Sequence, residues 1–291
     1  MNRTDLTPTP TLREVLRACE ASLREAGVDT PELDARLLVQ HALGMRREDL
    51  LIQALKRLTP PMVERVFGFV GRRAAREPVS RILGRREFWS MDFTLDASTL
   101  DPRPDTETLV EAALALVPDR GAALSILDLG TGTGCILLAL LGELPRARGL
   151  GIDVQAAAVA TADANARRLG FASRAGFRQG DWAAGLEERF DVVLSNPPYI
   201  PDADIPTLEP EVAAHDPRAA LAGGPDGLDA YRRLAPQVAA VLKPGGHFVF
   251  EVGAGQVPAV TEIFTASGLV VDGTRHDLGR VERCVFGRAA A

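Results

Sequence analysis

The chain has 291 residues, a formal net charge of −6 and a pI near 5.4. At 46% hydrophobic and 25% charged residues it has the composition of a folded globular protein, which excludes wholesale disorder. Its longest uninterrupted apolar run, Cys135 to Leu141, falls far short of the ~18 residues of a membrane-spanning helix, and MNRTDLTPTPTLREV lacks the apolar core of a signal peptide, so a cytoplasmic protein with no membrane association is expected.

Charge is unevenly spread. Residues 1–84 carry 14 Lys+Arg against 11 Asp+Glu, whereas the remainder carries 19 against 28. A protein that grips nucleic acid nonspecifically needs a strongly basic face, so no stable nucleic-acid binding is expected. The mild basic excess fits solvated helix surfaces or an acidic partner.

The first 80 or so residues read as short helices. Thr11-Leu-Arg-Glu14 has the form of a capping box, in which hydroxyl and carboxylate satisfy free N–H groups of a first turn. Leu12, Val15, Leu16, Cys19 and Leu23 follow at helical spacing, and Gly27 can end the helix. Thr30-Pro31 starts a second helix, with Leu33, Leu37 and Leu38 predicted inward and Gly44 beyond its end. Thr59-Pro60 starts another that runs toward Ala75. No chemistry is visible here, and a small helical recognition bundle over 1–84 is predicted.

Residues 85–100 change character. Phe88, Trp89, Met91, Phe93 and Leu95 partly alternate, as in a short hairpin linking two domains. Pro102-Arg-Pro-Asp-Thr-Glu107 leads into a helix, Leu109 to Leu116. From 121 onward the pattern is strand, turn, helix, repeated. Strands are predicted at 124–129, 149–153, 176–179, 190–195, 246–252 and 282–287. Such alternation implies a mostly parallel sheet covered by helices on both faces, over a domain spanning 101–291. Sheets of this kind bind ligands at the carboxyl ends of their strands.

Three cysteines (Cys19, Cys135, Cys284) and four histidines are scattered along the chain. They form no disulfide framework and no metal-ligand spacing, and no metal is expected.

The segment Leu124-Ser-Ile-Leu-Asp-Leu-Gly-Thr-Gly-Thr-Gly-Cys-Ile is an apolar strand running into Gly130, Gly132 and Gly134, then into an apolar helix. The dinucleotide fingerprint G-x-G-x-x-G/A fails, because its third small residue falls on Cys135 or Leu137. A phosphate-binding P-loop fails as well, for want of Gly-Lys-Ser/Thr. What remains is D-x-G-x-G-x-G, Asp128 through Gly134, which looks like the first motif of S-adenosylmethionine-dependent methyltransferases. Leu150-Gly-Ile-Asp153 places a carboxylate 19 residues beyond Gly134, where it can accept from both ribose hydroxyls. Asp181-Trp182 follows a third strand, a position that in this superfamily lies against adenine. Trp182 is expected to stack on the base and Asp181 to accept from its amino group.

Asp191-Val-Val-Leu-Ser-Asn-Pro-Pro-Tyr-Ile200 is the most informative stretch. A strand ends and Asn196-Pro197-Pro198-Tyr199 emerges at its carboxyl end. Two prolines fix φ and remove two donors, and Asn196 is restricted by the proline that follows it. The result is a stiff loop offering carbonyls, an amide and a ring. Methylation of a planar nitrogen needs this chemistry. An amide nitrogen is a weak nucleophile with two N–H donors. The Asn196 side-chain oxygen and the Pro197 carbonyl can each accept one of them, while Tyr199 packs on the planar group. Catalysis then rests on positioning and electrostatic preorganisation.

The chain resembles, over nearly its whole length, the release factor glutamine N5-methyltransferases (the PrmC/HemK family). The matching residues are Pro78-Val-Ser-Arg-Ile-Leu-Gly84, Phe88, Leu100-Asp-Pro-Arg-Pro-Asp-Thr-Glu107, the Gly130–Gly134 loop and Asn196–Tyr199. Further on are Glu209-Pro, Pro217-Arg-Ala-Ala-Leu221, Gly223-Gly-Pro-Asp-Gly-Leu228, Tyr231 and Glu251-Val-Gly-Ala-Gly-Gln256. Asp101 departs from the pattern, standing where an apolar residue is expected.

The resemblance implies a class I methyltransferase fold, α/β and Rossmann-like, with a seven-stranded mostly parallel sheet and an N-terminal helical bundle. It implies that Gly130, Thr131, Gly132, Thr133, Gly134, Asp153, Asp181, Trp182 and Asn196 contact S-adenosyl-L-methionine. Asn196, Pro197, Pro198 and Tyr199 would hold the target glutamine, in the Gly-Gly-Gln loop of a class I peptide chain release factor, and Asn196, Pro197 and Tyr199 would carry catalysis. Three other readings stay open. A glutamine of a ribosomal protein offers the same amide. An N6-adenine methyltransferase shares the NPPY loop, although the acidic catalytic half argues against it. A cofactor-binding sensor without catalysis would not need Asn196 and Tyr199.

Overall fold

The computed structural model describes Thr7 and residues 9–290. Residues 1–6 and 8 of the stretch read above for a signal sequence therefore lie outside the described residues. In chain order the elements are α1 (Leu12–Glu25), α2 (Pro31–Leu43), α3 (Asp49–Ile52), α4 (Pro60–Ala74) and α5 (Val79–Leu83), then β1 (Arg85–Phe88) and β2 (Met91–Thr94). There follow α6 (Glu107–Leu116), β3 (Ser125–Leu129), α7 (Cys135–Glu143), β4 (Arg148–Asp153), α8 (Ala156–Arg168), β5 (Ala175–Gln179) and β6 (Phe190–Ser195). Last come α9 (Pro210–Ala213), α10 (Asp229–Val241), β7 (Leu242–Glu251), α11 (Val257–Ala266), β8 (Leu269–His276) and β9 (Glu282–Ala289). They group into two compact units. One is Met1–Gly84 with Glu209–His215, and the other is Arg85–Leu208 with Asp216–Ala291.

In the first unit the capping box at Thr11 is formed: Glu14 N–H donates to Thr11 Oγ1 at 3.3 Å and Thr11 N–H donates to Glu14 Oε2 at 2.7 Å. Leu12, Val15, Cys19 and Leu23 of α1 pack with Leu38, Val39, Val66 and Val70. The inward face of α2 differs from the one predicted. Leu38 is buried as predicted, but Leu37 is half-buried and Leu33 is 54% exposed, and Asp34, Ala35, Val39 and Ala42 complete the inward face instead. The apolar count misses this phase because a charged residue holds an inward position. Asp34 is buried because Arg73 Nε donates to its Oδ2 at 2.8 Å and Thr30 Oγ1 to its Oδ1 at 2.9 Å. Arg73 Nη1 also donates to Glu211 Oε1 at 2.8 Å, and Arg76 Nη2 to Glu211 Oε2 at 2.8 Å.

Removing one partner of a buried ion pair leaves the other uncompensated, at a cost of about 3–5 kcal/mol. Arg73→Met is therefore expected to destabilise this unit by about 3 kcal/mol in urea unfolding, with part of the loss recovered in the Arg73→Met/Asp34→Asn double variant. An Arg73→Met variant as stable as wild type would contradict the assignment.

The second unit holds a seven-stranded sheet of order β5-β4-β3-β6-β7-β9-β8 and the separate β1–β2 hairpin. The mostly parallel sheet expected from the sequence is present; only β9 runs against its neighbours. The strand β8 was not predicted. It lies at the sheet edge, and its exposed, polar-rich face hides the apolar signal that marks interior strands. Two apolar layers cover the sheet. Residues of α6 and α7 form one with Phe88 and Phe93 of the hairpin, and α10 and α11 form the other with Phe248, Phe250 and Phe264. α7 is buried along Cys135–Leu141, as an apolar-all-round helix must be. Arg174 donates to the Leu141 carbonyl in the last turn of α7, to that of the C-cap Leu144 and to that of Ala147 beyond it.

This strand order positions the site. The chain moves outward from β3 to β4 and β5, then returns to the other side of β3 at β6. The connections leave β3 and β6 in opposite directions, which opens a crevice at their carboxyl ends. Ser195 Oγ donates to Leu129 O at 2.6 Å and ties the two strand ends together there.

Candidate functional site

A cavity of about 320 Å³ lies at that crevice, within the range of small-molecule pockets. Its wall includes Gly130, Thr131, Gly132, Thr133, Asp153, Asp181, Trp182, Asn196 and Pro198. Eight of the nine residues proposed for the cofactor are thus brought together. Gly134 is not on the wall; it is the N-cap of α7, at φ 81°. Pro197 and Tyr199 also lie outside the cavity lining.

The glycine loop is bolted to β4. Gly130 and Thr131 N–H both donate to Ile152 O, at 2.8 and 2.9 Å, and Gly132 N–H donates to Asp153 Oδ2 at 2.9 Å. Asp153 Oδ1 accepts from Gln155 N–H at 2.9 Å. These two amides fix the plane of the carboxylate at the cavity wall. Each oxygen keeps a further lone pair for a hydroxyl. Beneath the loop Asp128 is fully buried. Burial pushes its carboxyl up to about 7, against the pull of the Thr131 hydroxyl, which donates to Oδ2 at 2.6 Å.

Trp182 adopts a left-handed backbone, φ 55°, rare for a bulky residue and costly unless its surroundings hold it. Its indole packs so closely on Gly130 that a Cβ there would stand 3.1 Å from Cζ3. Asp181 accepts from Arg233 Nη2 through both oxygens, at 2.7 and 2.6 Å. Arg233, on α10, also lines the cavity, and sequence reasoning did not find it.

The NPPY segment leaves β6 toward the same wall. Asn196 Nδ2 donates to Thr106 Oγ1 at 3.2 Å. The Tyr199 phenol reaches Glu251 Oε1 at 3.4 Å, and burial raises its pKa well above the usual phenol range. The loop is clamped from behind. Gln256 Nε2 donates to Tyr199 O at 2.9 Å, and Gly227 packs so tightly that a Cβ would lie 2.3 Å from that oxygen. Ile200 then exchanges backbone hydrogen bonds with Leu221 and Gly223, which brings Pro217, Ala219, Ala220 and Ala222 to the cavity.

The turn Pro104–Thr106 and the residues before it supply another wall through Leu100, Pro102, Arg103 and Thr106. Arg103 pairs with Asp216 and, at 3.7 Å, with Asp101. Asp101 is 1% exposed and also faces Arg86 at 3.8 Å. Two guanidinium groups thus accommodate a carboxylate where an apolar residue was expected. The hairpin is stapled to the glycine loop by the buried Asn165, whose Nδ2 donates to Thr94 O at 2.9 Å and to Thr133 O at 3.0 Å. Asn165 carries no local signal, and Thr106, Glu251 and Gln256, which stand in segments that match the family, gain their contacts only from distant elements.

Among the described residues no group of three His, Cys, Asp or Glu converges as a metal site, and the three cysteines are buried and free. The donor set suits an adenosyl group. It offers a carboxylate for a diol, an aromatic face and a glycine loop that itself has no basic side chain, while the two arginines of the wall, Arg103 and Arg233, are paired with Asp216 and Asp181.

Comparison with known proteins agrees with this chemistry. Residues 14–84 match the PrmC N-terminal domain and residues 121–268 match a methyltransferase domain. The chain is 52% identical over 269 residues to a release factor glutamine methyltransferase from Rhodospirillum rubrum, covering 92% of this chain and 82% of the relative. It is 46% identical over 280 residues to one from Caulobacter vibrioides, covering 96% of each. Among solved structures, the catalytic domain of hMettl16 in complex with a MAT2A 3′UTR hairpin shares the fold, with a TM-score of 0.58 at 13% identity over 80% of this chain and 83% of that one. The chain belongs to the release factor glutamine methyltransferase family.

Proposed function

We propose that the chain transfers a methyl group from S-adenosyl-L-methionine to the side-chain N5 of the glutamine in the Gly-Gly-Gln motif of class I peptide chain release factors. One observation carries the reading. Asn196 lines the same cavity as the glycine loop, with its Nδ2 engaged by Thr106, which leaves Oδ1 as an acceptor for a substrate N–H.

The cofactor, when bound, supplies an electrophilic methyl on a sulfonium. The Gly130–Thr133 loop would receive its amino-acid end, Asp153 its ribose hydroxyls and Trp182 its adenine. Asp181 already accepts from Arg233 through both oxygens, and each oxygen keeps a further lone pair for the adenine amino group. Asn196 Oδ1 and the Pro197 carbonyl accept the two N–H groups of the target amide. That holds the nitrogen in place and favours build-up of its lone pair. Tyr199 lies outside the cavity lining with its phenol on Glu251, so packing against the amide plane would require the substrate to reach its ring; its raised pKa keeps it a neutral donor rather than a base. No strong base is needed, because the nitrogen grows acidic as its new bond forms and loses its proton late.

The first unit would recognise the release factor away from the target loop. Leu51, Ile52 and Leu55 stand 84, 77 and 72% exposed there, apolar surface of the kind that marks interaction sites. Among the described residues no helix is long and apolar enough to cross a membrane, and a substrate that works on ribosomes supports a cytoplasmic reaction. The test is incubation of the purified chain with labelled S-adenosylmethionine and purified release factors, followed by mass mapping. A methyl on the glutamine side chain is expected. Label on another residue, or on ribosomal protein instead, would overturn the substrate assignment.

A further inference from the structure

Behind Asn196 lies a buried polar cluster that the transfer chemistry does not use. Glu251, the last residue of β7, is 2% exposed. Thr106 is 3% exposed; its oxygen accepts from Asn196 Nδ2, and its side chain neighbours the Glu251 carboxyl, whose Oε2 is buried and has no hydrogen-bond partner among the described residues. Tyr199 approaches the same carboxyl from the NPPY loop, and the Tyr231 phenol donates to the Glu251 backbone carbonyl at 2.8 Å. Arg283 and Cys284 on β9 and Asp105 on the preceding turn complete its charged and titratable surroundings.

The donor count of this cluster has a direction. A threonine hydroxyl owns one proton and can point it either way. A carboxylate only accepts. With Glu251 ionised, the Thr106 proton goes to it, and the Thr106 oxygen is left to accept. Asn196 must then present its NH2 to Thr106, which turns Oδ1 toward the cavity. Without an acceptor-only group at 251 the Thr106 proton is free to go to Asn196 Oδ1. The carboxamide then turns over and offers N–H groups to a target amide that has only N–H groups to give.

We propose that Glu251 and Thr106 are positioning residues that set the direction of the Asn196 carboxamide, so that its oxygen faces the substrate nitrogen. The proposal rests on Asn196 being the acceptor for the target amide. It also gives a reason for a carboxyl at so buried a place. Burial pushes Glu251 up to about 7, against the Thr106 hydroxyl and Arg283, so the group costs stability in its ionised form. Buried polar networks of this kind fix one geometry rather than add stability.

The test compares wild type, Asn196→Ala, Glu251→Gln, Thr106→Val, Thr106→Ser and the Glu251→Gln/Thr106→Val double variant with a release factor as substrate. Glu251→Gln keeps the shape but can donate, and Thr106→Val cuts the link. Each is expected to lower kcat by at least about 30-fold, with KM for the release factor and affinity for S-adenosylmethionine within about threefold of wild type. The double variant should be no worse than either single one, because both break the same link. Thr106→Ser should restore most of the rate. The melting temperature of Glu251→Gln at pH 8 should equal or exceed that of wild type, which a merely structural role would not give. Wild-type kcat in Glu251→Gln, or losses that multiply in the double variant, overturns the relay. So does a rate loss matched by weaker cofactor binding and a lower melting temperature. Should Glu251→Gln not fold, the Thr106→Val and Thr106→Ser pair decides alone. A wild-type chain that leaves release factors unmethylated overturns the functional reading itself. A wild-type chain that methylates while Asn196→Ala does not, with Glu251→Gln unimpaired, overturns only this proposal.

Discussion

Asn196→Ala is expected to lower kcat for methyl transfer by about 10³-fold while S-adenosylmethionine affinity changes by less than about threefold, since removal of a single preorganised polar partner of a transition state costs about 10²–10³ in rate. The asymmetry follows from where the residue stands. Asn196 touches the cavity at the end of β6, and its nitrogen is spent on Thr106. Its oxygen is the group that meets the reacting nitrogen. The glycine loop and Asp153 hold their geometry through hydrogen bonds that do not involve it. Truncation therefore removes an interaction that strengthens as the lone pair builds, and leaves the ground-state cofactor site standing. Asn196→Asp should fare little better. It keeps an oxygen, but a second acceptor would face Thr106 and compete for the single proton that Glu251 now takes. Single-turnover rates together with calorimetric titration of the cofactor check both variants. Turnover at the wild-type rate in Asn196→Ala would remove the basis of the proposed mechanism.

The second large effect is on the cofactor. Asp153→Ala is expected to weaken S-adenosylmethionine by about 100-fold, because hydrogen bonds to a charged group are worth about 1.5–3 kcal/mol each. The structure makes the site more sensitive than a ribose contact alone would be. The same carboxylate accepts from Gly132 N–H and Gln155 N–H, so its loss also frees the loop that receives the ligand. Asp153→Asn is no conservative change here. Both oxygens face backbone donors, and an amide nitrogen in either place opposes N–H to N–H. Calorimetry on Asp153→Ala and Asp153→Asn reads the effect directly, and wild-type affinity in either would count against the assignment.

What was legible in the sequence was what is local. The Gly130–Gly134 loop, Asp153 and the NPPY elbow each combine backbone restriction with a side chain only a few residues away, so their chemistry can be read from spacing. The interior strands β3, β4 and β6 each carry a short apolar stretch between helical segments, and that alternation implies a parallel sheet. The inward face of α2 was misread because its apolar pattern is broken by Asp34, and only Arg73, 39 residues on, makes that position tolerable in the core. Likewise the acceptor status of Asn196 depends on Thr106, 90 residues earlier, and on Glu251. Gln256 reaches the Tyr199 carbonyl from 57 residues away, and Arg233 reaches Asp181 from 52. Such partners are chosen by topology, and single residues at those separations leave no periodic trace. Leu100-Asp-Pro-Arg-Pro-Asp-Thr-Glu107 could be matched to a family but not explained; its Thr106 now has a physical reason to be a hydroxyl.

The pairing of Arg73 with Glu211 also bears on biosynthesis. Their 138-residue separation means that, as the nascent chain emerges, the amino-terminal helices appear well before the carboxylate that completes their guanidinium pair. The guanidinium pair of the bundle is completed only when residue 211 of 291 has been translated. A truncated fragment ending at Gly84 would keep Asp34 for Arg73 but lack Glu211 for either arginine, and it would not reproduce the bundle of the intact molecule.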